Sequence, residues 1–179
     1  MPKIIGLTGG IGSGKTTIAN YLASLAIPVY IADDAGKKVM QQQEIIEEIQ
    51  KKFGFDIVEN NQLNRAKLAE IVFNNPDQLK VLNAIVHPAV KKDFKKWVYE
   101  HADSPFVVYE SAILFESGSY TNFDIILTVT APLETRISRV LQRDSSNREQ
   151  VMSRINAQWT DEQRIAKSDF IIENIDIKD

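Results

Sequence analysis

The 179-residue sequence contains no cysteine, which excludes disulfides, thiolate metal ligands and cysteine nucleophiles. It has only two histidines, His87 and His101, too isolated from each other to suggest a metal pair. No apolar run approaches the roughly twenty residues of a membrane span. Met1 to Ile5 offers no signal-peptide apolar region either. A positive excess is also lacking: 21 Lys and Arg against 24 Asp and Glu give a net charge of -3 and a pI near 5.5, the opposite of what a polynucleotide partner selects. Internal repeats and low-complexity segments are absent. A soluble, cytoplasmic protein with no nucleic-acid or membrane partner is expected, and its oligomeric state is not legible. A hydrophobic fraction of 44% supports a substantial core, in one domain with room for an insertion.

The most informative segment is Gly9-Gly10-Ile11-Gly12-Ser13-Gly14-Lys15-Thr16, which spells the G-x-x-x-x-G-K-T loop that wraps nucleotide phosphates. The motif carries meaning only between a strand and a helix, and both flanks fit. Lys3 to Leu7 is a short apolar run of buried-strand type, while Ile18, Tyr21 and Leu22 fall at helical spacing. Glycines let the backbone turn tightly and point N–H groups inward, and the helix N-terminus adds its dipole. The predicted ATP-binding set runs through Gly10, Ile11, Gly12, Ser13, Gly14, Lys15, Thr16 and Thr17. Lys15 would reach the β- and γ-phosphates, and Thr16 would offer Mg²⁺ a hydroxyl.

Strand-like runs alternate with helical patterns, which predicts an α/β fold with a five-stranded parallel sheet. The strands are expected at Ile4 to Leu7, Val29 to Ile31, Phe106 to Tyr109, Ile125 to Val129 and Phe170 to Ile172. Residues 34–102 are charged and strand-poor, with helical spacing in Ile45, Ile46 and Ile49, in Leu68, Ile71 and Val72, and in Leu79, Leu82 and Val86. They predict a helical insertion with boundaries at Pro76 and Pro88. The expected organisation is a nucleotide core of 1–33, 103–131 and 168–179, an insertion of 34–102 and a lid of 132–167.

Ligands of open α/β sheets sit beyond the carboxyl ends of the strands, and acidic residues cluster there. Asp33 and Asp34 follow the second strand, where either could orient an attacking hydroxyl or cap the next helix. Glu110 ends the third strand, as a metal-holding carboxylate or a solvated terminus, and Glu116 follows. Of the arginines, all but Arg65 lie after residue 135. Arg136, Arg139 and Arg143 share one helical stripe, and Leu133, Ile137, Val140 and Leu141 form another. The arginine stripe is expected to face phosphate or solvent, as part of a lid with its polar tip at Asp144 to Glu149.

Taken together, the loop, Ala32-Asp33, Leu82-Asn83-Ala84-Ile85-Val86-His87-Pro88, Leu114-Phe115-Glu116, Arg139 to Asp144, Glu149 to Arg154, Ala157-Gln158 and Ser168 to Asn174 resemble dephospho-CoA kinase across almost the whole chain. The resemblance implies a three-layer P-loop kinase fold of the adenylate-kinase branch, with a helical acceptor domain and a small helical lid. It implies ATP-dependent phosphorylation of the ribose 3′-hydroxyl of dephospho-CoA, with Mg²⁺. It assigns Asp33 as base or orienting group, and Lys15, Arg139 and Arg143 to catalysis. Lys37, His87, Glu116 and Arg154 join Asp33 in binding the acceptor substrate, and Glu110 is a further candidate for Mg²⁺.

Three departures stand out: Ile31 where the family has a first aspartate, Lys37 where arginine or histidine is common, and Ala112 in place of proline. Glu110 is expected to compensate for the missing carboxylate. Other small-molecule or nucleoside-monophosphate P-loop kinases share the loop and lid, and a non-enzymatic nucleotide-binding module would keep the loop alone. A regulatory GTPase would need Asn-Lys-x-Asp, which the sequence lacks.

Overall fold

A computed structural model describes residues 1–59, 61–73 and 75–175. The elements run β1 (Lys3–Thr8), α1 (Lys15–Ser24), β2 (Val29–Ile31), α2 (Ala32–Val39) and α3 (Gln43–Phe53). A short hairpin, β3 (Val58–Glu59) and β4 (Gln62–Leu63), leads to α4 (Arg65–Phe73) and α5 (Pro76–Glu100). The chain continues through β5 (Phe106–Glu110), β6 (Ile125–Thr130), α6 (Leu133–Arg143), α7 (Arg148–Asn156), α8 (Asp161–Ile165) and β7 (Phe170–Glu173). Two compact units result, residues 1–31 with 101–179 and residues 32–100.

The first unit is built on a five-stranded sheet of order β2-β5-β1-β6-β7. Every neighbouring pair in it is parallel. Its strands are rich in branched residues, which suit a pleated surface covered on both faces. Leu7, Val108 and Val129 pack with Ala19 of α1. A second cluster joins Leu114, Phe115 and Ile126 to Trp159, whose ring stacks on Phe115 at 5.3 Å. A third joins Ile137, Val140 and Val151 of α6 and α7, and Ile11 of the glycine-rich loop packs onto it. Each such fully buried side chain stabilises by about 1.5–3 kcal/mol relative to exposure.

The second unit is helical apart from the hairpin, and α5 packs against α2, α3 and α4. Its buried face is Leu82, Val86, Val90, Phe94 and Val98, a strict i, i+4 stripe. Asn64 and Asn75 accept from the backbone N–H groups of Lys67 and Gln78, which caps α4 and α5.

Several expectations need correction. Pro76 does open a helix, but Pro88 does not end one, since α5 runs straight through it. The continuous stripe from Leu82 to Val98 outweighs the single backbone bond that proline forfeits. In the apolar stripe of 133–141, Ile137 and Val140 are buried but Leu133 and Leu141 are exposed, because helical spacing marks a face and only its centre is covered.

Candidate functional site: the glycine-rich loop and its braces

The loop follows β1, the central strand. The chain passes from β1 to β2 on one side of it, and from β5 to β6 across to the other. Such a divergence leaves a crevice at the carboxyl ends of the strands, where open α/β sheets bind ligands.

Local geometry explains the glycines. Gly14 precedes α1 in the left-handed region, at φ 93°, and Gly12 sits at φ 78°. A Cβ at Gly10 would overlap the Arg136 guanidinium, one at Gly12 the Arg136 backbone, and one at Gly14 the Asn174 amide. No side chain caps α1, so its first N–H groups remain available to an anion. By contrast α7 and α8 open on reciprocal capping boxes, Asn147 with Gln150 and Thr160 with Gln163.

Beside the loop, Lys15 Nζ lies 3.5 Å from Glu110 Oε1, with side chains only 12% and 8% exposed. Glu110 is at the end of β5, in register with Leu7 of β1 and Ile31 of β2. Burial makes this pair electrostatically strong and costly to break from one side. Thr16 and Thr17 are exposed on the first turn of α1. Asn174 donates to the Ser13 carbonyl at 3.0 Å. Arg139 reaches the same carbonyl at 3.5 Å and the Ile175 carbonyl at 3.2 Å.

The other sequence-assigned arginines divide by burial. Arg136 is buried, against the expectation of a phosphate-facing or solvent-facing stripe. Its Nε donates to the Ile11 carbonyl and its Nη1 to Asp161 Oδ2, both at 2.9 Å. These two acceptors anchor the guanidinium and hold it inside. Arg143 stays exposed and forks onto Asp144 at 2.8 and 3.1 Å, and Arg154 donates to the same carboxylate at 2.9 Å. The two guanidiniums hold the Asp144 carboxyl well below the usual range, and Asp144 in turn raises Arg143.

Glu116 accepts from the Trp159 backbone N–H at 3.0 Å and from Arg164 Nη2 at 3.1 Å. Arg164 is fully buried, and desolvation pulls its pKa down against the support of Glu116 and Asp161.

In the helical unit, Asp33 and Asp34 occupy the first turn of α2, where carboxylates favour the helix dipole. Asp33 is exposed. Lys37 is bound to Asp34 at 2.7 Å. His87 lies on the outer side of α5, where partial desolvation lowers its pKa below the ordinary histidine value. Among the described residues no three His, Cys, Asp or Glu gather as a metal cage.

The family model for dephospho-CoA kinase matches residues 3–179. The chain belongs to the dephospho-CoA kinase family. A dephospho-CoA kinase of Fusobacterium nucleatum is 41% identical over 172 residues, covering 96% of this chain and 89% of that protein. A solved Thermus thermophilus structure superposes with a TM-score of 0.86 at 34% identity, covering 98% of this chain and 90% of that one. The dephospho-CoA kinase structure from Campylobacter jejuni gives 0.72 at 27% identity, with 99% and 90% covered.

Within this dephospho-CoA kinase family chain, the structure brings Lys15, Glu110, Arg139 and the loop together. It turns Arg143, Arg154 and Glu116 toward partners of their own. The residues that sequence reasoning missed are Asn174, Gln158, Asp161 and Arg164. Asn174 and Gln158 stand in the stretches that carry the family resemblance, whereas Asp161 and Arg164 give no signal without their spatial partners.

Proposed function

We propose that this chain transfers the γ-phosphate of ATP to the ribose 3′-hydroxyl of dephospho-CoA, the last step of coenzyme A synthesis, in the cytoplasm. The observation that carries the reading is a family-wide match on a loop whose α1 N-terminus has no side-chain cap. ATP phosphates fit the loop from Gly10 to Thr17, above all the uncapped N–H groups that open α1. Lys15 exchanges Glu110 for phosphate oxygens when ATP arrives, since both partners are anionic and within reach of one flexible stem. Asp33 accepts or orients the 3′-hydroxyl proton, and Arg139 and Arg143 counter charge spreading over the transferred group. Lys37, His87, Glu116 and Arg154 belong to the acceptor side of this reading.

Mg²⁺ fits the oxygens present. It takes few protein ligands and completes its shell with water and phosphate, so the exposed Thr16 hydroxyl and the Glu110 carboxylate suffice without a cage. When bound it would neutralise charge on the phosphate oxygens.

The test is a coupled ADP assay of purified protein with ATP, Mg²⁺ and a panel of acceptors. Dephospho-CoA should stimulate ADP release far above AMP, CMP, UMP and shikimate. Preference for one of these would make the protein a different small-molecule kinase, and no stimulation by any would make it a nucleotide-binding module.

A further inference from the structure

An ionic chain built on two buried arginines ties α8 to the apex of the glycine-rich loop. Ile11 stands at that apex and is held three ways. Its side chain packs on Ile137, Val140 and Val151. Its N–H donates to Gln158 Oε1 at 2.9 Å, and its carbonyl accepts from Arg136 Nε at 2.9 Å.

Arg136 is in turn fixed by Asp161, whose Oδ2 accepts from Nη1 at 2.9 Å. The other oxygen of Asp161 accepts from Arg164 Nη1 at 3.4 Å, and Arg164 Nη2 continues to Glu116. Two buried guanidiniums thus alternate with two carboxylates, and Asp161 touches both arginines. Arg136 is close enough to Arg164 to disfavour its charge. Without Asp161 the two cations would face each other in a low-dielectric setting, and Arg136 would leave the Ile11 carbonyl to find a new acceptor.

The consequence reaches the phosphate site through one peptide plane. The Ile11 carbonyl and the Gly12 N–H belong to the same trans peptide and point in opposite directions. Holding the carbonyl against Arg136 therefore turns the Gly12 N–H the other way.

We infer that Asp161 is a positioning residue for ATP: acting through Arg136, it fixes the Ile11-Gly12 peptide so that the Gly12 N–H is presented to phosphate. The inference rests on the reading that this loop binds the phosphates of ATP. Asp161 touches no substrate, and its effect belongs to nucleotide binding rather than to acceptor binding.

The test compares wild type with Asp161→Asn and Asp161→Glu, reading KM for ATP, KM for dephospho-CoA and, by calorimetry with nucleotide alone, the ATP Kd. Asp161→Asn should weaken ATP in both KM and Kd by about tenfold, the scale of one charge-assisted hydrogen bond, with the dephospho-CoA KM within about twofold. Asp161→Glu should recover most of the loss. A folded Asp161→Asn with unchanged ATP Kd overturns the inference.

Should Asp161→Asn fail to fold, Arg136→Lys decides. It keeps the cation but loses the planar fork that spans Asp161 and the Ile11 carbonyl, should accelerate hydrogen exchange at the Gly12 amide and should weaken ATP, and an unchanged ATP Kd again overturns the inference. Because the Kd needs no acceptor, it separates this failure from a wrong acceptor assignment, which would show as wild-type protein that binds ATP yet leaves dephospho-CoA untouched.

Discussion

Lys15 and Glu110 are 3.5 Å apart and nearly buried, so each is a counter-charge for the other until a nucleotide competes. Removing Lys15 takes a counter-charge from the nearly buried Glu110, whereas Asp33, exposed on the first turn of α2, forms no ion pair among the described residues. The two substitutions should therefore separate stability from chemistry. Lys15→Ala and Asp33→Asn should each lower turnover at least about a hundredfold, the scale of lost charge stabilisation or base help. Lys15→Ala alone should also lower Tm. Steady-state rates with melting curves check both, and wild-type turnover in Asp33→Asn would remove that residue from the reaction. Glu110→Gln should raise the Mg²⁺ concentration for half-maximal rate, and an unchanged Mg²⁺ dependence would free Glu110 of a metal role.

At this scale the sequence revealed what is contiguous. Gly9 to Thr16 declare themselves because one short segment makes the whole cradle. Arg136 could not be read correctly, since its burial depends on Asp161, 25 residues away, and on a carbonyl of the loop 125 residues before it. Composition alone gives an arginine no reason to be inside.

Among the elements, the strands of the main sheet were legible because short runs of branched residues have few alternatives in an α/β pattern. The two-residue strands of the β3–β4 hairpin are too short to show a period. Helix α5 shows where local rules yield to packing. Its five-residue buried stripe continues past Pro88, although proline in a helix interior costs about 3 kcal/mol relative to alanine. Pro88→Ala should therefore raise Tm, with a gain of about 1–3 kcal/mol by denaturant unfolding. A fall in Tm would mean that the proline shapes α5 in a way its neighbours require.

Over the whole molecule, the division into a sheet-centred unit of 1–31 with 101–179 and a helical unit of 32–100 interrupts the sheet directly after β2. Asp33 is thereby attached two residues beyond Ile31, a strand residue in register with Glu110. The fold follows from alternating strands and helices, and the phosphate donor from the loop. The acceptor did not follow from either, because the residues proposed to hold it, such as His87 on the outer side of α5, carry no chemistry that names a ligand.

The position of the new phosphate tests the central claim most directly. After incubation of dephospho-CoA with ATP, Mg²⁺ and purified protein, phosphorus and proton NMR of the product should show one added phosphate on the ribose 3′ oxygen, with ADP formed in equal amount. A phosphate at any other position, or ATP consumed to inorganic phosphate with dephospho-CoA unaltered, would contradict it.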